Sequence, residues 1–296
     1  MEQRYRIFKP EQVKASVFII HGMEEHKDRY IPFAQFLCAN HVGCVIYDLP
    51  GHKEKQKENM GWFGEKDGYL NLIHSAVNIA VLTKKEFPDV PMYCFGHSMG
   101  SLIARNFLQK YSDLIDGMIL SGAPCYNSAA PLGRAMVNVL AKAKGKKGHS
   151  RLLDNMVTGS FNKAVKNPKT DSDWISYNEE NVKAFVEDEW CGVPFTIQGY
   201  GDLLDLVMNM HKPENYRVTK EDLPVFFMAG EDDPCTGGNK GLEDSIAVLK
   251  NAGYKNIDKK VYPHMRHEIL NENGRMEVYE DALKWILNHT LKKIDA

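Results

Sequence analysis

Short apolar runs that alternate with helical patterns constrain the fold of this chain most strongly. The first run, SVFII at 16–20, is continuous and rich in β-branched residues, as expected of a strand buried on both faces of a sheet. Further runs cover 43–48, 91–96, 117–122, 224–230 and 256–263. Strands that alternate with helices predict a mainly parallel sheet with helices on both faces.

Helical periodicity fills the gaps between these runs and then dominates one long segment. We predict core helices over 30–40, 67–87, 99–112, 237–252 and 274–291. The segment 124–221 has helical patterns but no clear pair of strands, so we interpret it as a helical cap inserted over the strand ends. The predicted division is a first core part at 1–123, the cap at 124–221 and a second core part at 222–296.

Composition excludes several classes of protein. The 296 residues, 43% hydrophobic and 26% charged, can bury a large core, and the net charge of −2 provides no basic field for nucleic acid. There is no run of 18 apolar residues, and the first twelve residues lack the apolar region of a signal peptide. The six cysteines show no CxxC spacing, so we expect free thiols and a cytoplasmic protein.

The segment YCFGHSMGSL at 93–102 places a serine between an apolar strand and a helix. Its GHSMG core matches G-x-S-x-G, in which the serine adopts a strained backbone and its flanking residues must be small. Gly96 and Gly100 meet that requirement, and His97 supports the same corner. The pattern predicts that Ser98 is a nucleophile, with an ordinary turn as the alternative.

A serine hydroxyl needs a base to remove its proton, and in folds of this kind the acid and the base follow later in the chain. Asp232 and Asp233 both follow the strand VFFMAG, and we favour Asp233 because Pro234 stiffens its loop. His264 and His267 both follow KKVYP. We favour His267 because it lies just before an apolar pair and a helical pattern, where a loop histidine can reach back over the sheet.

Two backbone N–H groups are expected to bind the oxyanion of the reaction. One belongs to Met99, directly after the serine, and the other to Met23 in the loop HGMEEH that follows the first strand. Gly22 allows the backbone of that loop to approach closely.

Five ordered segments resemble the monoacylglycerol lipase and lysophospholipase-like, serine aminopeptidase-type branch of the α/β-hydrolases. They are VFIIHGMEEHKDRY, YDLPGH, FGHSMGSLIAR, AGEDDPC and YPHMRHEILNE. The resemblance implies an α/β-hydrolase fold that transfers an acyl group to water without a cofactor or a metal. It implies the same nucleophile, acid, base and oxyanion donors: Ser98, Asp233, His267, Met23 and Met99.

The cap is expected to select the substrate. Its apolar helices favour a small-molecule acyl ester with a medium or long chain, such as a monoacylglycerol or lysophospholipid. No obligate protein partner is evident from the sequence. An apolar stripe at 132–140 runs into KAKGKKG; it contains Leu132, Ala135, Met136, Val139 and Leu140. We favour packing of this stripe on the core, with transient contact with a lipid surface as the alternative.

Two other functions remain open. An aminopeptidase would need a carboxylate in the cap to hold an α-amine, and Glu187, Asp188 and Glu189 are candidates, although solvation on a helix surface explains them more simply. A non-catalytic ligand-binding protein of the same fold is the other alternative. The complete set of nucleophile, acid and base argues against it.

Overall fold

A seven-stranded sheet forms the centre of the computed structural model, which describes residues 4–294. The strands are β1 (Tyr5–Phe8), β2 (Ala15–Ile20), β3 (Val42–Tyr47), β4 (Met92–His97), β5 (Gly117–Ser121), β6 (Val225–Gly230) and β7 (Ile257–Tyr262). Their order is β1-β3-β2-β4-β5-β6-β7, with β1 antiparallel to β3 and the remaining pairs parallel. The predicted mainly parallel sheet is confirmed; the ends of the predicted core segments, 1–3 and 295–296, lie outside the described residues.

Helices connect the parallel strands, close to the predicted bounds. They are α1 (Ile31–Ala39), α2 (Gly68–Glu86), α3 (Met99–Tyr111), α4 (Ala130–Lys144), α5 (Arg151–Val157), α6 (Glu179–Glu187), α7 (Ile197–Met210), α8 (Gly238–Ala252) and α9 (Arg275–Ile294). Short 3-10 turns occupy Lys27–Tyr30, Lys57–Asn59, Ser112–Leu114, Asn162–Ala164, Asp173–Ile175, Pro213–Asn215 and Ile269–Asn271. Within 4–294, no helix combines the length and apolarity needed to cross a bilayer.

The five inner strands β2 to β6 are buried at every residue, which explains their continuous apolar runs. Successive residues point to opposite faces, so that Val45 packs in one core cluster while its neighbours Cys44 and Ile46 pack in another. Helices α1 and α9 cover one face, and α2, α3 and α8 cover the other.

The edge strand β1 is absent from the sequence predictions. It has only four residues, none of them fully buried, and pairs with β3 from Tyr5 opposite Tyr47 to Phe8 opposite Cys44. A short, half-exposed edge strand carries no continuous apolar run, so periodicity does not reveal it.

Helices α4 to α7 follow β5 and precede β6 in the chain. Small residues bring α4 close to α7: a Cβ atom at Gly201 would lie 3.0 Å from Val137 Cγ1, and one at Gly133 would lie 3.3 Å from Leu204 Cδ1. This contact buries Gly133 and Val137. The division of the chain at 123 and 221 stays a prediction.

The close contact between α4 and α7 turns the opposite side of α4 to solvent. Leu132 is 71% exposed and Val139 is 66% exposed. Ala135 is exposed as well, whereas Met136 and Leu140 pack against the core. The prediction that the 132–140 stripe packs on the core is therefore wrong for Leu132, Ala135 and Val139. The close contact at Gly133 and Gly201, rather than the largest apolar residues, determines which side of α4 faces α7.

Candidate active site

Ser98 forms the corner between β4 and α3. Its backbone lies at φ 52° and ψ −121°, a strained conformation for a residue with a side chain. The flanking glycines make this turn feasible: a Cβ atom at Gly96 would lie 2.6 Å from the Gly100 oxygen, and one at Gly100 would collide with the carbonyl oxygen of Ile20. The Ser98 N–H donates to the Ser121 oxygen at 3.0 Å, which holds the corner against β5.

Asp233 and His267 lie together in the interior. Nδ1 of His267 is 2.9 Å from Oδ2 of Asp233, and both side chains are buried. The competing residues lie elsewhere: Asp232 is exposed and accepts a hydrogen bond from the Tyr177 hydroxyl at 3.0 Å, and His264 is also exposed. The geometry thus favours Asp233 and His267 over their neighbours in sequence.

The Asp233 carboxylate controls the charge of His267. Burial alone lowers the pKa of His267, but the nearby Asp233 charge and its hydrogen bond outweigh burial and raise that pKa above its ordinary value. Within the described residues, the buried Nε2 atom of His267 has no hydrogen-bond partner, the Ser98 hydroxyl included. With its Nδ1 proton donated to Asp233, the ring keeps Nε2 available to accept a proton.

Two aromatic rings pack on His267. The ring centroids of His97 and Trp174 lie 4.7 Å and 4.8 Å from that of His267. Burial and the neighbouring His267 lower the pKa of His97 to about 4, so His97 is neutral at physiological pH. The sequence predictions include His97 but miss Trp174, which comes from a 3-10 turn far away in the chain.

The predicted oxyanion residues Met23 and Met99 both line the cavity that contains Ser98. Met99 is the first residue of α3, so its N–H has no partner within the helix. In the other loop, the Gly22 N–H donates to Glu25 Oε1 at 2.5 Å, and the Tyr30 hydroxyl donates to the same oxygen at 2.7 Å. These bonds anchor the loop that carries Met23.

A buried ion pair that the sequence predictions miss connects this loop to the histidine. Arg29 donates to Glu25 Oε2 at 3.0 Å and to Glu268 Oε2 at 2.6 Å. Glu268 directly follows His267, and Arg29 also donates to Asn181 of α6 at 2.9 Å. The E-x-x-x-R spacing of Glu25 and Arg29 was a visible signal, but the partnership with Glu268 depends on the fold.

Two groups of side chains have metal-ligating atoms within 4.8 Å of one another among the described residues: Asp233, Cys235 and His267, and His26, Asp188 and Cys191. The first contains the Asp233–His267 hydrogen bond. In the second, His26 Nδ1 accepts from the Asp28 N–H at 3.3 Å, which assigns the ring proton to Nε2, 2.8 Å from Asp188 Oδ2. Both ring nitrogens of His26 are therefore used in hydrogen bonds, and neither has a lone pair left for a metal. We interpret the second group as a hydrogen bond from His26 to Asp188, the residue after α6.

A cavity of about 440 Å³ opens beside Ser98. No aspartate, glutamate, lysine, arginine or histidine occurs among its lining residues in the described part of the chain. The carboxylates considered for amine binding lie outside it: Glu187 is 3.8 Å from Lys183, and Glu189 is 3.3 Å from Lys57. The aliphatic wall comes mainly from α5 and α7, with one residue from α3, and includes Leu102, Leu153, Met156, Val157, Leu203 and Val207.

Residues 11–274 match the model of the family described as serine aminopeptidase, S33. The chain belongs to this family. Proteins with similar sequences include a monoacylglycerol lipase of Mycolicibacterium smegmatis, 25% identical over 96% of this chain and 92% of the relative. Another is phospholipase YtpA of Bacillus subtilis, 23% identical over 93% of this chain and 96% of the relative.

Solved structures agree with this assignment. A thermostable carboxyl esterase from Bacillus coagulans, solved with glycerol, superposes with a TM-score of 0.89 at 25% identity, covering 97% of this chain and 94% of the esterase. A monoglyceride lipase variant from Saccharomyces cerevisiae has the same fold, with a TM-score of 0.73 at 19% identity, covering 96% of this chain and 90% of the lipase. The predicted α/β-hydrolase fold and the family resemblance are confirmed, and this S33 family member is a serine ester hydrolase.

Proposed function

We propose that this S33 family member hydrolyses medium- or long-chain acyl esters, such as monoacylglycerols or lysophospholipids, through an acyl-enzyme on Ser98. The observation that carries the proposal is the cavity beside Ser98, whose described lining residues include no charged side chain. An acyl chain gains free energy when it leaves water for such a cavity. The relatives named monoacylglycerol lipase and phospholipase support the same substrate class.

In the proposed mechanism, the Ser98 oxygen attacks the ester carbonyl carbon while His267 Nε2 takes the hydroxyl proton. Asp233 holds Nδ1–H and stabilises the imidazolium, and the N–H groups of Met23 and Met99 bind the oxyanion. His267 then protonates the leaving alcohol. Water attacks the acyl-enzyme with His267 again as base, which releases the acid and restores Ser98.

We also propose that the exposed cap face makes transient contact with lipid. Leu132 and Val139 of α4 and Leu152 and Met156 of α5 are all exposed, and Met156 also lines the cavity. Lysines at the end of α4 and just beyond it can approach anionic head groups; they are Lys142, Lys144, Lys146 and Lys147.

For location we propose the cytoplasm, supported by six free cysteines, whose thiols persist in a reducing compartment.

A fluorophosphonate probe and a series of p-nitrophenyl esters from acetyl to palmitoyl test the proposal. We expect labelling of the wild type, no labelling of Ser98→Ala, and kcat/KM that rises with chain length until the cavity is full. An unlabelled wild type would refute the acyl-enzyme. Faster turnover of aminoacyl-naphthylamides than of every ester would assign an aminopeptidase instead.

A further inference from the structure

Glu24 is a buried residue of the loop that carries Met23, the proposed oxyanion donor, and the proposed mechanism gives its carboxyl no role. It directly follows Met23, and its side chain is 9% exposed. Its Oε1 atom is buried without a hydrogen-bond partner. An ionised carboxylate in such a place is costly, so the residue needs a physical explanation.

A second carboxyl lies on the cap side of Glu24. The hydroxyl of Tyr200, a fully buried residue of α7, lies beside the Glu24 carboxyl and donates to Asp154 Oδ1 of α5 at 2.8 Å. Among the described residues, Asp154 and Tyr200 are the titratable groups that act on Glu24. Burial, reinforced by the Asp154 charge, raises the pKa of Glu24 to about 8. Glu24 is therefore mainly neutral at pH 7.

The backbone of Glu24 is also attached to the cap. Its φ of 55° lies in the left-handed region, and its carbonyl oxygen accepts from the Gly192 N–H at 2.8 Å. Glu24 is thus bonded through its backbone to the loop after α6, and its carboxyl lies beside Tyr200 of α7, which in turn binds Asp154 of α5. The residue directly before Glu24, Met23, lines the cavity together with Leu153 and Tyr200.

We propose that Glu24 is a positioning residue whose buried carboxyl, beside the Tyr200 hydroxyl that binds Asp154, joins the loop carrying Met23 to the α5 and α7 wall of the cavity. This inference rests on the proposed function, because it assigns Glu24 the task of holding the Met23 N–H in place. When Glu24 is neutral, its carboxyl can lie near that of Asp154 without charge repulsion. Ionisation of Glu24 puts two like charges side by side and pushes the Met23 loop away from α5.

Activity as a function of pH tests this role, with Glu24→Gln, Glu24→Ala and Asp154→Asn compared with the wild type. The wild type should lose kcat as the pH rises through about 8, where Glu24 ionises. Glu24→Gln and Asp154→Asn should lack this alkaline fall, since each variant leaves a single carboxyl in the cluster. Glu24→Ala should lower kcat by at least about tenfold with little change in KM, and Glu24→Gln should restore part of it, as expected for a misplaced oxyanion donor.

Asp171→Asn is the matched control, because Asp171 is an exposed cap carboxyl; its profile should follow the wild type. An alkaline fall that persists in Glu24→Gln would overturn the proposal. So would a Glu24→Ala variant with wild-type kcat.

The melting temperature provides a readout that needs no activity. The pKa of Glu24 is higher in the folded protein than the ordinary 4.5, so its stabilising contribution is complete below pH 4.5 and is lost as the pH rises through about 8. Between these values the wild type should lose several degrees relative to Glu24→Gln. Parallel curves would overturn the buried-carboxyl assignment, whereas a wild type that hydrolyses no ester would refute the proposed function and leave the melting result intact.

Discussion

At the scale of single residues, the site combines one strained backbone with one charged hydrogen bond. Ser98 occupies a region of backbone space that costs about 1–3 kcal/mol, and glycines on both sides leave room for the close backbone contacts of this turn. Asp233 is buried against His267, while Asp232, one residue earlier, faces solvent. Adjacent identical side chains therefore have different surroundings, because the loop exposes one and buries the other.

Substitution of the two aspartates should separate these roles. We expect Asp233→Asn to lower kcat by about 10⁴, because the amide no longer stabilises the imidazolium or the Nδ1–H tautomer. Asp232→Asn should stay within about twofold of the wild type, as expected of an exposed carboxylate. Turnover of a soluble p-nitrophenyl ester measures both variants, and a larger loss in Asp232→Asn would reverse the assignment.

The acid limb of the pH profile should report His267. The base must be neutral to take the Ser98 proton, and Asp233 raises its pKa, so kcat/KM should begin to fall above the ordinary histidine value of 6.5 as the pH drops. The residual activity of Asp233→Asn should show an acid limb at lower pH, because the carboxylate charge is gone. A limb that stays in place in that variant would indicate that another group titrates.

At the scale of elements, α4 shows how packing can override an amphipathic pattern. Gly133 and Gly201 let α4 and α7 approach closely, and the larger apolar residues Leu132 and Val139 remain outside. The total apolar content of the helix is compatible with burial of either side. The shape of the partner helix decides between them.

Charged substitutions on the exposed side of α4 test whether this side contacts lipid. The double variant Leu132→Asp/Val139→Asp should sediment at least about fivefold less with vesicles of mixed neutral and anionic phospholipids, because two carboxylates would meet the bilayer interface. Turnover of soluble p-nitrophenyl acetate should not change. Val81→Asp, which alters a residue of α2 that is 57% exposed, serves as the control. Equal sedimentation of all three proteins would exclude contact through this face.

At the scale of the whole molecule, Arg29 joins three regions that are distant in sequence. Its guanidinium binds Glu25 of the loop after β2, Glu268 next to His267 and Asn181 of α6. Burial by itself raises the pKa of Glu268, but the Arg29 charge together with hydrogen bonds from Arg29 and Asn181 outweighs burial and lowers that pKa. The cation thereby helps to keep the buried Glu268 carboxylate ionised beside His267.

Removing this cation should destabilise the whole protein. We expect Arg29→Met to lower the free energy of unfolding by about 3–5 kcal/mol, because it leaves buried carboxylates without a partner. Urea unfolding followed by tryptophan fluorescence measures the change. Glu221→Gln, which removes an exposed ion pair with Lys255, should leave the urea midpoint unchanged. Similar midpoints for the two variants would contradict a structural role for Arg29.

Features that depend on residues close together in the chain could be predicted from the sequence. The inner strands are continuous apolar runs because both of their faces are buried, and the Ser98 corner needs small residues at fixed neighbouring positions. The preference for Asp233 rested on the adjacent Pro234 and on the resemblance, and the structure adds the hydrogen bond. These patterns are local because backbone geometry and strand burial are local constraints.

The remaining features depend on residues brought together across the chain. Trp174 reaches His267 from a segment 93 positions away, and Glu268 pairs with Arg29 across 239 positions. Glu24 lies beside Tyr200 of α7, which binds Asp154 of α5. No short-range pattern encodes such contacts, because packing between elements decides which polar groups lose water and which partners they find. The sequence by itself determined the sheet, the corner and the class of chemistry. Tertiary structure alone decided the ion network, the exposed side of α4 and the burial of a carboxyl next to Met23, because these depend on how distant elements pack.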